Sequence, residues 1–108
     1  MKSEINIEVE LAADRMPDQI NWMAPGGGVT EWQKAKALLL GMWDGEAKEA
    51  LRIDLWTQKM MVDEMNDFFY QTLCGMADTY TRATNNAALA SELKEFAGQF
   101  LKKASEAQ

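Results

Sequence analysis

Histidine is absent from all 108 residues. That removes the commonest general base, the usual middle member of a catalytic triad and the commonest metal ligand. Cysteine occurs once, at Cys74, so no internal disulfide can close and no Cys–His pair or zinc ligand set can be assembled. A thiol lying mid-helix between Tyr70 and Ala77 reads as a buried, inert group. Long apolar runs are missing too. No window approaches 18 uninterrupted apolar residues, and the opening Met-Lys-Ser-Glu-Ile-Asn-Ile-Glu has no apolar segment of the secretory kind. The expectation is a cytoplasmic protein without membrane insertion. Basic residues are few: 11 Lys and Arg stand against 17 Asp and Glu, a net charge of −6. Such a balance offers no footprint for nucleic acid or an anionic bilayer. Protein partners remain compatible with it.

Carboxylates are plentiful, so some cluster by chance. Glu8 and Glu10 share one strand face, and Asp63, Glu64 and Asp67 gather at a helix start. The first pair reads as a solvated face and the second group as a match to the helix dipole. Magnesium or glycoside chemistry needs carboxylates converging in a cleft, and nothing in the spacing demands that. No catalytic residues, metal or cofactor are expected, and the chain is not read as an enzyme. The eight methionines mostly fall at positions suited to a core rather than to an adaptable groove.

A hydrophobic fraction of 47% and a charged fraction of 26% are ordinary for one globular domain over residues 1–108. Ile5, Ile7, Val9 and Leu11 alternate with polar residues and read as a half-buried strand. Ala12 to Asp18 reads as a turn containing Pro17. Ile20, Trp22 and Ala24 then alternate in a second strand paired back on the first. Pro25-Gly26-Gly27-Gly28 ends it, without the helix or lysine of a phosphate-binding loop. Residues 30–43 allow two readings. Thr30 and Gln33 match a capping box ahead of good helix formers; the alternative is a short helical turn near Thr30 and a strand from about Lys36. The strand is favoured because folding back across residues 44–49 sets Met42 against Leu51, Leu40 against Ile53 and Leu38 against Leu55, a wholly apolar face. Asp44-Gly45 supplies turn chemistry.

The apolar period then lengthens to about four. A helix is expected over 62–83, with Met65, Phe68, Phe69, Thr72, Leu73, Met76 and Tyr80 inward. Asp78 and Arg82 stand at i,i+4 spacing for an ion pair. Asn85-Asn86 breaks that helix and caps a second over 87–103, with Leu89, Leu93, Phe96, Ala97, Phe100 and Leu101 inward. Residues 104–108 are expected to fray. The sum is an α+β fold: a four-stranded antiparallel sheet followed by two helices covering one face (ββββαα).

With that register, the other face of the last hairpin carries Leu39, Trp43, Arg52, Asp54 and Trp56. An apolar patch with charge usually marks a contact surface, and Trp and Arg often dominate binding energy. These five are the candidate interaction residues, for a homo-oligomer or for another protein. The competing reading folds residues 25–33 over the patch as a satellite core.

Trp43-Asp44, Leu51-Arg52-Ile53-Asp54-Leu55-Trp56-Thr57, Val62-Asp63-Glu64-Met65 and Phe68-Phe69 together resemble the GldC family of gliding-motility proteins. So do Gln71-Thr72-Leu73, Met76-Ala77-Asp78-Thr79, Arg82-Ala83-Thr84, and upstream Ile20-Asn21-Trp22, Gly26-Gly27-Gly28 and Ala35-Lys36-Ala37. The likeness runs over about residues 4–101. It implies a small cytoplasmic accessory protein whose partners belong to the gliding and secretion apparatus, and it carries over no catalytic or ligand-binding residue. The element order alone is similar to that of SecB-type export chaperones, as is Ile20-Asn21-Trp22-Met23-Ala24-Pro25 to their strand-then-proline segment. That likeness implies, as the alternative, a module holding unfolded export clients.

Overall fold

A computed structural model describes residues 1–107. Gln108, the last residue of the expected fraying tail, lies outside the described residues. The chain divides into two compact units, residues 1–60 and the residues from Met61 onward.

The first unit holds five strands. β1 (Asn6–Leu11), β2 (Pro17–Ala24) and β3 (Val29–Ala35) form one antiparallel sheet in that order, and β4 (Ala37–Asp44) and β5 (Glu49–Trp56) form a two-stranded antiparallel ribbon. The expected single four-stranded sheet is therefore corrected to a three-stranded and a two-stranded sheet. The extra strand comes from residues 29–35, where a helical turn was expected. The Thr30–Gln33 capping box does not form, and the Gln33 side chain donates instead to the Glu31 carbonyl at 3.4 Å. Val29 and Thr30 are β-branched, and pairing with β2 outweighs the helix propensity of their neighbours.

The sheets part at Lys36, where the chain bends between β3 and β4. The Lys36 carbonyl accepts two hydrogen bonds from Thr57, one from its amide at 2.8 Å and one from its hydroxyl at 3.0 Å. Thr57 is only 3% exposed. A buried hydroxyl needs a partner, and this one finds it across 21 positions of sequence.

Within the three-stranded sheet, Val9, Ile20 and Ala35 lie in one cross-strand row, and Ile20, 1% exposed, is the buried centre. Pro17 opens β2, where a missing amide donor is tolerated. Gly28 has φ 88° and closes the turn after Pro25 with its amide on the Pro25 carbonyl. That left-handed conformation is one glycine adopts at no steric cost.

The β4–β5 ribbon has the register read from the sequence. Leu38 pairs with Leu55, Leu40 with Ile53 and Met42 with Leu51, alternating with Leu39–Asp54, Gly41–Arg52 and Trp43–Ala50. Asp44 builds the connecting turn. Its carboxylate accepts from the amides of Glu46 at 2.9 Å and Ala47 at 3.2 Å, and its carbonyl accepts from Lys48. Lys48, not Gly45, takes the left-handed conformation, at φ 57°.

The second unit is a helical hairpin, α1 (Val62–Thr84) and α2 (Ala87–Glu106). Glu64 caps α1 by accepting from the Met61 amide. Asn85 ends it in the left-handed region, and Asn86 caps α2 through the Leu89 amide at 3.1 Å. α2 continues through Ala104 to Glu106, three residues beyond the expected end at Lys103. The helix seam is built on alanine: Ala77, Ala90 and Ala97 are the buried residues. Ala97 lies in the expected stripe of α2, and Met65, Phe68, Thr72 and Leu73 of the α1 stripe are half-buried as expected, but the most buried position of α1 is Ala77, about 100° round the helix from Met76. Phe69, Met76 and Tyr80, expected inward, are exposed, as are Leu89 and Phe96.

Candidate functional site

The five candidate residues lie on one face of the ribbon because successive strand residues point to opposite sides. Asp54 stands opposite Leu39, and Arg52 opposite Gly41. The guanidinium passes over Gly41, where a Cβ would lie at an ordinary contact distance of 3.8 Å from Nη1, and runs along the strand toward Asp54. Arg52 meets that carboxylate twice, Nη2 to Oδ1 at 3.0 Å and Nε to Oδ2 at 3.4 Å. Both side chains remain about half exposed. An exposed pair of this kind adds little to stability. What it does is hold two charges at the middle of the face.

Trp43 is 69% exposed and Trp56 54%. Leu39 is half-buried. The indoles do not meet. Trp43 sits opposite Ala50 and Trp56 opposite Ala37, positions about 20 Å apart along the ribbon at 3.4 Å per residue. The face is thus two apolar ends with an ion pair between them. Residues 29–33 belong to β3 and pair with β2, so they do not form the cover that the competing reading required.

Two features escaped the sequence pattern. Met42, Leu51 and Ile53 of the expected core row are 48%, 47% and 46% exposed. On the helical hairpin Phe69 stacks on Phe100 with ring centroids 6.2 Å apart, and Phe96 lies against the same ring at 6.4 Å. Periodicity identifies apolar rows but cannot say which of them is covered.

Polar groups elsewhere are engaged structurally. Asp78 accepts from Lys94 of α2 at 2.7 Å, which holds the ammonium above its usual pKa; Arg82 donates to the Thr79 hydroxyl. The i,i+4 pair expected of Asp78 and Arg82 thus gives way to a bridge between helices. Half-buried Cys74 shares a side-chain hydrogen bond with Tyr70, which raises the phenol pKa. A cleft of about 420 Å³ in the first unit is lined by Asp18, Lys34, Lys36 and Lys59 around Thr57, but the Thr57 hydroxyl is already committed to the Lys36 carbonyl. Among the described residues no group of three Cys, Asp or Glu side chains could hold a metal ion, and no helix is long and apolar enough to cross a membrane.

Fold and surface define a small α+β protein whose candidate site is an open sheet face carrying indoles and an ion pair. Residues 17–106 match the family model described as gliding motility-associated protein GldC-like. The chain belongs to that family, in agreement with the resemblance read from its motifs. No curated protein and no solved structure shows significant similarity to it.

Proposed function

We propose that this chain is a non-enzymatic accessory protein of the gliding-motility apparatus and its secretion machinery, and that it acts by binding a protein component through the outer face of the β4–β5 ribbon. The observation that carries the reading is the pairing of exposed Trp43 and Trp56 with the Arg52–Asp54 ion pair on one strand face. Indoles desolvate a large area at small entropic cost, and a fixed ion pair sets register and rejects mismatched partners. Family membership supplies the process.

The test is native co-purification from a gliding cell, with the wild type and with Trp43→Ser/Trp56→Ser. The wild type should retain a motility or secretion component, and the double variant should lose it while keeping its circular dichroism. Failure of the wild type to recover any such component at any salt sinks the reading. So does a double variant that unfolds, because the indoles would then be core. Near-stoichiometric suppression of aggregation of unrelated unfolded proteins would replace the specific reading with a SecB-like holding activity.

A further inference from the structure

β5 is an edge strand with an unusual face for one. Seven of its eight residues are exposed, including Leu51, Ile53 and Trp56. Among the described residues it pairs only with β4, so the backbone donors and acceptors of its other edge have no ladder. A strand of this kind is a template for another strand. A two-stranded ribbon is also marginal in water, and three or more strands with an apolar face are needed for independent stability.

The residue order of β5 is self-complementary. In a two-fold antiparallel pairing of β5 with a second β5, side chains keep their face, and the register is named by the residue on the axis. With Ile53 on the axis, Arg52 of each copy stands opposite Asp54 of the other, at a cross-strand distance of about 5 Å. The two in-strand ion pairs then close into a square of alternating charge. On the same face Trp56 falls opposite Ala50 of the second copy, a large residue against a small one. On the reverse face Leu51 meets Leu55, and Ile53 meets itself. Shifting the axis by one residue ruins this. An axis at Arg52 sets guanidinium against guanidinium, and an axis at Asp54 sets carboxylate against carboxylate; like charges directly opposite are destabilising. One register is favoured and its neighbours are rejected.

We infer that the protein self-associates as a two-fold dimer through antiparallel β5–β5 pairing centred on Ile53, with a second copy of this chain as the occupant of the edge. The product is a continuous four-stranded sheet, β4-β5-β5-β4. Its apolar rows run unbroken across the axis, Leu40–Ile53 meeting Ile53–Leu40. The interface is isologous, as two-fold dimers require. It goes beyond the motility reading, because it uses the strand edge and needs no other protein.

Light scattering and sedimentation of the purified full chain, alone, read the result. The wild type should show twice the 12.2 kDa chain mass. Arg52→Asp places acid against acid across the axis, and Asp54→Arg places base against base. Each should weaken the dimer by about tenfold or more, since two symmetric pairs reverse sign. Mixed one to one, the two single variants are complementary at both positions and should form a heterodimer that neither forms alone. The doubly exchanged Arg52→Asp/Asp54→Arg chain should dimerise with itself. Circular dichroism checks that each variant is folded, and the exchanged chain keeps the test decisive should a single variant misfold. A monomeric wild type overturns the inference. So do single variants that dimerise as well as wild type, or a mixture that stays monomeric.

Discussion

Replacing Thr57 with valine tests the bend that parts the two sheets. The side chain is buried, and its hydroxyl donates at 3.0 Å to the Lys36 carbonyl, which also accepts the Thr57 amide at 2.8 Å. Valine keeps the shape and replaces the hydroxyl by a methyl. The carbonyl keeps its amide donor, so no buried polar atom is orphaned. The loss is therefore one neutral hydrogen bond, about 0.5–1.5 kcal/mol, without the larger penalty of an unsatisfied group. Thr57→Ala also removes the methyl and leaves a small cavity, so it should cost more, roughly 1–3 kcal/mol. Urea titration followed by indole fluorescence is the assay, because Trp22, Trp32, Trp43 and Trp56 all lie in the strand-bearing unit. At a slope of about 1–3 kcal/mol per molar urea, a loss of about 1 kcal/mol lowers the midpoint by roughly 0.3–1 M. An unchanged midpoint at unchanged slope for Thr57→Val would show that the hydroxyl does not hold the bend.

Two further expectations concern the helices. Ala77→Leu forces a larger side chain into a seam where Ala77 and Ala97 are fully buried, and should cost about 1–3 kcal/mol in a melt followed at 222 nm; a neutral or stabilising result would mean that the helices do not close on these alanines. The Lys94 pKa is raised by its hydrogen bond and charge attraction to Asp78, and the Tyr70 pKa by Cys74. A raised folded pKa gives stability that is full below the unfolded value and is lost as pH rises through the folded one. The helical unit should therefore weaken through the alkaline range above the ordinary values of 10.0 for tyrosine and 10.5 for lysine. Lys94→Met should reduce that slope, and added salt should mimic it because the pair is exposed. An identical alkaline profile in the variant would remove Lys94 from the account.

The hairpin of β4 and β5 was legible down to its register. Its apolar residues alternate with period two on both strands, and a slip of one residue would turn every side chain over. Asp44 announced the turn, and Lys48 carries its positive φ. Both helices were legible from their period, and Asn85-Asn86 from the chemistry of caps. The family was legible from motifs, and residues 17–106 match it. These are local properties, set by backbone sterics and side-chain spacing within a few residues. The five candidate residues were placed on one face by the same alternation. The placing of the charged pair between the two indoles followed from the same register; how far each indole is exposed did not.

Tertiary structure decided the rest. Residues 29–35 carry helix formers and a capping pattern, yet β2 lies alongside them and its ladder prevails. The carbonyl of Lys36, where the sheets part, is bonded by Thr57, 21 residues away. Asp78 turned from the expected Arg82, four residues on, to Lys94 on the second helix. The deepest positions of the helix seam fell on Ala77 and Ala90 as well as on the expected Ala97, while Phe69, Met76, Tyr80, Leu89 and Phe96 stayed exposed. Periodicity specifies which residues share a face. Which face another element covers depends on contacts between residues far apart in sequence, and no local pattern encodes those.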